Sequence, residues 1–67
     1  MWTVIYIASN SNMAERIKNR LTNEGFLVKI RQSRLSKKQY EILVLQSELE
    51  EVQEVLSFIL QKTSKHE

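Results

Sequence analysis

The residues best suited to chemistry lie in the stretch RQSRLSKKQY, Arg31–Tyr40, where Arg31, Arg34, Lys37 and Lys38 occur with no acidic residue among them. Guanidinium and ammonium groups spaced this closely suit recognition of an anion, whether phosphate or carboxylate. The candidate partners are therefore an acidic protein face, an anionic ligand such as a phosphate-bearing metabolite, or nucleic acid. Leu35 sits among the charges, and an apolar residue there suits a docking loop. The competing reading is a hairpin tip kept soluble by its charge.

Other chemistry is sparse. There is no Cys, and the one His is His66, next to the last residue. A thiolate metal site and a disulfide are thereby excluded. The carboxylates of Glu48, Glu50, Glu51 and Glu54 crowd the start of an expected helix, where the helix dipole accounts for them. They do not have the spacing of a calcium loop. A general base with a tuned pKa needs a buried pocket, and a domain of this size has little room for one. No catalytic, cofactor-binding or metal-binding residue is assigned, and the chain reads as non-enzymatic.

Sixty-seven residues make one small domain. Such a chain buries only roughly 60% of the surface its unfolded form exposes, so its core must be used well. The apolar content of 42% is enough for a folded domain. No signal-peptide pattern and no apolar run of about 20 residues appears, so the expectation is a cytoplasmic protein without a membrane span. The charge is uneven. Up to Tyr40 eight Lys/Arg face two Glu, a surplus of +6; from Glu41 onward six Glu face two Lys, a surplus of −4, and together they give the net +2. Such asymmetry marks a binding face, or attraction between two halves or two copies.

The elements that must position these residues follow from periodicity. WTVIYIA, Trp2–Ala8, is β-branched and aromatic and reads as a first strand. SNSN, Ser9–Asn12, favours turns and caps, and Asn12 with Glu15 has the spacing of a capping box. Met13, Ile17 and Leu21 recur every fourth residue, as one helix face requires. Gly25, the one glycine, stands where a left-handed residue would end that helix. FLVKIR, Phe26–Arg31, alternates as a second strand, with residues 32–38 as a loop, and YEILVL, Tyr40–Leu45, reads as a third. Ser47 and Glu50 form an S-x-x-E box opening a last helix. Its apolar stripe is Leu49, Val52, Leu56, Ile59 and Leu60, widened by Val55 and Phe58, and Lys62 lies near its end. The domain is expected over 1–62, with 63–67 a frayed tail.

The order β-α-β-β-α predicts an α+β fold: a three-stranded antiparallel sheet in spatial order 1-3-2, with both helices on one face. It is a truncated ferredoxin-like arrangement that leaves strand 1 with an open edge. If Ile5, Ile7, Val28, Ile30, Ile42 and Val44 face the helices, the other face carries Trp2, Val4, Tyr6, Leu27, Lys29, Arg31, Glu41, Leu43 and Leu45. The two sides of strand 1 are both apolar, so its assignment can also be inverted. An apolar sheet face of this kind suits burial in a homodimer, through the open faces or through paired strand-1 edges. Its aromatics beside Lys/Arg also suit RNA bases, although Leu27, Leu43 and Leu45 are poor stacking platforms and no RNA-recognition run is present. The N-terminus of the first helix could meet an anion, but ordinary capping explains Ser9–Asn12 without one.

YIA at Tyr6–Ala8, AERIKNRLTNEGFLVKI at Ala14–Ile30 and YEILVLQSELEEVQEVL at Tyr40–Leu56 resemble a family of short bacterial proteins described as prokaryotic signal-transducing proteins. The resemblance spans nearly the whole chain and rests on core pattern and the Gly turn. It implies a fold similar to PII-type nitrogen-signalling proteins, with an effector loop between strands 2 and 3, where residues 32–38 lie. It carries over no catalytic residue. The final strand of a full PII-type domain and a Gly-rich phosphate loop are missing from the pattern. The functional expectation is a small regulatory or adaptor module working through protein contacts at Arg31, Arg34, Leu35, Lys37 and Lys38, with Trp2, Val4, Tyr6, Leu43 and Leu45 as a dimer or partner face. The alternative is a nucleic-acid-binding protein using the same loop and face, which the acidic last helix disfavours by repelling a polyanion.

Overall fold

The computed structural model describes the backbone of residues 1–64 and the side chains of residues 1–61. The elements are β1 (Trp2–Ala8), α1 (Ser11–Asn23), β2 (Val28–Gln32), β3 (Tyr40–Leu45), a 3₁₀ turn (Gln46–Glu48) and α2 (Leu49–Ser64). The sheet has the expected order β1-β3-β2, and β3 pairs antiparallel with both neighbours. This is the split βαβ arrangement, with β3 inserted between the strands that α1 connects. The expected tail at 63–67 is helical as far as Ser64, and its remainder lies outside the described residues, as does the Lys62 side chain.

Helix α1 begins two residues earlier than the Asn12 box implies. Asn10 is the cap: its Oδ1 accepts the Met13 backbone N–H at 2.7 Å. Asn12 lies inside the first turn, so the pairing with Glu15 does not form the cap. The helix ends as expected. Gly25 has φ of 101°, its N–H donates to the Thr22 carbonyl at 3.0 Å, and the Phe26 N–H donates to the Leu21 carbonyl at 3.1 Å. These two bonds are the Schellman closure, which needs a residue free to take positive φ. No atom lies within 4 Å of where a Cβ would sit on Gly25, so the constraint there is the backbone angle alone. Phe26 is drawn into this closure and packs on the core, which moves the start of β2 to Val28. The S-x-x-E box at Ser47 is replaced by the 3₁₀ turn, which has no side-chain cap.

The core joins Ala14, Ile17 and Leu21 of α1 to Val52 and Leu56 of α2 over Ile42 and Val44 of β3. Both helices therefore cover one sheet face. Val55, Ile59 and Leu60 pack against this core as expected, whereas Phe58 is exposed.

Strand β1 departs most from simple alternation. Val4 pairs with Leu43 and Tyr6 with Ile42, so one extra residue, Ile5, is accommodated as a bulge. Cross-strand partners share a face. Tyr6, opposite the buried Ile42, therefore turns to the helix side, where it packs on the core together with Ile5. Ile7, opposite Glu41, turns to the open side. The bulge thus exchanges the places expected for Tyr6 and Ile7.

Two comparisons check these departures by urea denaturation. Asn10→Ala is expected to cost about 1 kcal/mol as a lost cap, and Asn12→Ala to stay within about 0.5 kcal/mol as a surface change. Tyr6→Ala is expected to cost roughly 2–3 kcal/mol as a large-to-small core change, while Ile7→Ala costs under about 1 kcal/mol. Equal losses at Tyr6 and Ile7 would show that the two side chains do not face opposite sides of the sheet.

Candidate interaction surfaces

Two surfaces carry exposed chemistry. The first is the connection Ser33–Gln39 between β2 and β3. Like charges and the lack of Gly or Pro give no reason to expect local order there. The serines supply it. Ser33 Oγ accepts the Leu35 N–H at 3.1 Å and Ser36 Oγ accepts the Lys38 N–H at 3.2 Å. Each closes a small side-chain turn onto the backbone two residues on. The base is held by the Ser33 N–H on the Gln39 carbonyl at 2.9 Å and by Gln32 Nε2 on the Lys37 carbonyl at 2.7 Å. Ser33 itself is buried.

This frame lifts Leu35 into solvent at 94% exposure, between the exposed Arg34, Lys37 and Lys38. Arg31 does not join them. It lies in β2 on the open sheet face, where Nη2 meets Glu41 Oε1 at 2.7 Å and Nε donates to the same oxygen at 2.8 Å. The pairing follows from register, because Arg31 and Glu41 are direct cross-strand partners. The cationic set of the loop is thus Arg34, Lys37 and Lys38, with Arg31 neutralised beside it.

The second surface is the open face of the sheet. Its register gives three rows across β1, β3 and β2. At one end Trp2 stands opposite Leu45, with Leu27 just before β2. In the middle Val4, Leu43 and Lys29 align, and at the other end Ile7, Glu41 and Arg31 align. Trp2, Val4, Leu43 and Leu45 thus lie where the pattern predicts, with Ile7 standing in for Tyr6. Leu43 is only 5% exposed although no helix of the described residues covers this side. Its cover comes from neighbours: Lys29 Nζ sits 4.7 Å from the centroid of the Trp2 ring. Trp2 and Lys29 belong to the outer strands, so they meet above β3 and roof Leu43 between them. Sequence reading grouped these residues on one face but had no signal for the bridge, which depends on the diagonal reach of two long side chains.

The carboxylates of Glu48, Glu50 and Glu51 lie at the far end from the loop. Gln46 donates its N–H to the Met1 carbonyl at 2.8 Å, which places the turn and the α2 start beside the beginning of β1. Glu50 and Glu51 occupy the first turn of α2, and Glu48 Oε1 is enclosed without a hydrogen-bond partner among the described residues. Among the described residues, no three His, Cys, Asp or Glu side chains gather as metal ligands would. Among them also, no helix is long and apolar enough to cross a membrane.

Comparison with protein-family models, with curated proteins and with solved structures finds no match to this chain.

The Trp2–Lys29 bridge can be checked by substitution. Lys29→Met keeps the covering stem and removes the charge, with an expected loss of about 0.5–1 kcal/mol for the cation–π contact. Trp2→Ala is expected to cost clearly more, since it also uncovers Leu43. Equal effects from the two changes, read by chemical denaturation, would show that the ring does not shelter Leu43.

Proposed function

We propose that the domain is a small non-catalytic regulatory or adaptor module that binds an acidic protein surface through its β2–β3 loop. The observation that carries this reading is the presentation of Leu35. An apolar side chain is held out in solvent by two serine turns, with three cations around it and no ion pair to any of them among the described residues. A merely solvated tip gains nothing from a framed, exposed leucine. A docking loop gains an anchor for an apolar notch, and the cations steer the approach and select an acidic rim. The local hydrogen bonds also reduce what must be ordered on binding, at roughly 1–2 kcal/mol per residue saved. The cysteine-free composition suits work in the cytoplasm, and the signalling-type resemblance of the sequence fits a regulatory role.

The same cations could meet a nucleic acid. The turn of Tyr6 toward the core leaves Trp2 as the aromatic of the open face, already engaged with Lys29, which makes a poor base-stacking platform.

The test compares the wild type with Leu35→Ser and with the triple variant R34Q/K37Q/K38Q in capture from host lysate, followed by titration of the captured partner. Leu35 is fully at the surface, so the melting temperature is expected to move little. Affinity is expected to fall about 10-fold for Leu35→Ser, as for a modest interface anchor. The triple variant should slow association and flatten its salt dependence. Unchanged capture by both variants would reduce the loop to a solvated turn. Binding to single-stranded RNA or duplex DNA that collapses steeply with salt would favour the nucleic-acid reading instead.

A further inference from the structure

We infer that the open sheet face is the seat of a second copy of this chain, related by a two-fold axis that runs across the strands through the Val4–Leu43–Lys29 row. This interface is centred on the sheet face, away from the loop anchor Leu35, and the loop cations reach only its two ends.

The apolar column of β1 is self-complementary under that axis. Rotation sets Val4 over Val4 and Trp2 of one copy over Ile7 of the other, while Leu43 stays beneath its Trp2–Lys29 roof and Leu45 comes over the Glu41 already paired with Arg31. Val4 and Ile7 are exposed large apolar residues in the free domain, so both gain cover. The charges of the face are compatible with burial. Arg31 is already paired with Glu41, and the Lys29 ammonium is drawn onto the Trp2 ring, toward the end row and away from its counterpart across the axis. The same rotation brings the end bearing Arg34, Lys37 and Lys38 against the end bearing Glu48, Glu50 and Glu51, and does so twice. An axis along the strands would bring like ends together instead.

The area sets the strength. Three strands about 4.8 Å apart and six residues at about 3.3 Å give a face of about 14 by 20 Å. Contacts at both ends bring the total toward the roughly 1,000 Å² at the low end of specific interfaces. The expected dimer is therefore weak. The alternative contact, β1 edge to β1 edge, is impeded by the bulge at Ile5, since bulges break the regular ladder that edge pairing needs.

The chain has no cysteine, so single cysteines can be placed freely. Sedimentation of the wild type is expected to show a monomer–dimer equilibrium with Kd in the micromolar range. Val4→Asp and Ile7→Asp should each raise Kd by about 10-fold or more, by burying an unpaired charge, with folding checked by circular dichroism. Val4→Cys and Lys29→Cys should each cross-link to themselves with a bismaleimide spanning the roughly 10 Å between packed sheets. A wild type that stays monomeric at concentrations on the order of 1 mM overturns the inference. So does a dimer indifferent to both Asp variants, or one that cross-links at Val4 but not at Lys29, which is the signature of edge pairing.

Discussion

Strand β3 must be covered on both sides. It is hydrogen-bonded along both edges, and Ile42, Leu43 and Val44 are consecutive buried residues, so their side chains point alternately to opposite faces. The helices cover Ile42 and Val44. Leu43 has only the other face, which no element of the described chain covers, and the sheet roofs it with its own side chains. Most other features serve this demand. The Schellman closure at Gly25 turns the chain so that β2 can flank β3, and the bulge in β1 adjusts which residues reach each layer.

Clusters of opposite charge stand at the two ends of the sheet. The β2–β3 connection holds Arg34, Lys37 and Lys38 at one end, while the 3₁₀ turn and the first turn of α2 hold carboxylates at the other. Between them Arg31 is cancelled by its cross-strand partner Glu41. The middle of the sheet is left apolar apart from Lys29, and the three loop cations stand apart from the exposed Arg16 and Arg20 of α1. Exposed charge at the loop and exposed apolar surface on the sheet therefore occupy different parts of a very small molecule.

The elements that bury a periodic stripe were legible in the sequence. Helix α1 followed from Met13, Ile17 and Leu21, strand β3 from an uninterrupted apolar run, and the helix end from a lone glycine. Sheet order followed from connectivity, because β-α-β-β-α leaves few arrangements. What escaped depends on local competition. Both Asn10 and Asn12 can cap, and composition does not choose between them. The serines of the loop read as polar filler until their hydroxyls are seen closing turns. Tyr6 and Ile7 were misplaced because β1 is apolar on both sides, so no polar residue marks where the alternation slips. Arg31 groups with the loop cations by charge, although the strand pattern includes it, because sequence distance does not reveal a partner ten residues away.

The slip in β1 has a further consequence, one of length rather than composition. On one side of Ile5 the strand keeps Trp2 and Val4 outward; on the other it keeps Tyr6 and Ala8 inward. The two halves are out of phase by one residue, and Ile5 is the spacer that reconciles them. Many apolar exchanges along β1 preserve that phase, and loss of Ile5 alone would also preserve it, because Val4 would then be followed by Tyr6 in plain alternation against Leu43 and Ile42. What the extra residue supplies is a second inward apolar side chain in succession, Ile5 beside Tyr6, where plain alternation would supply one.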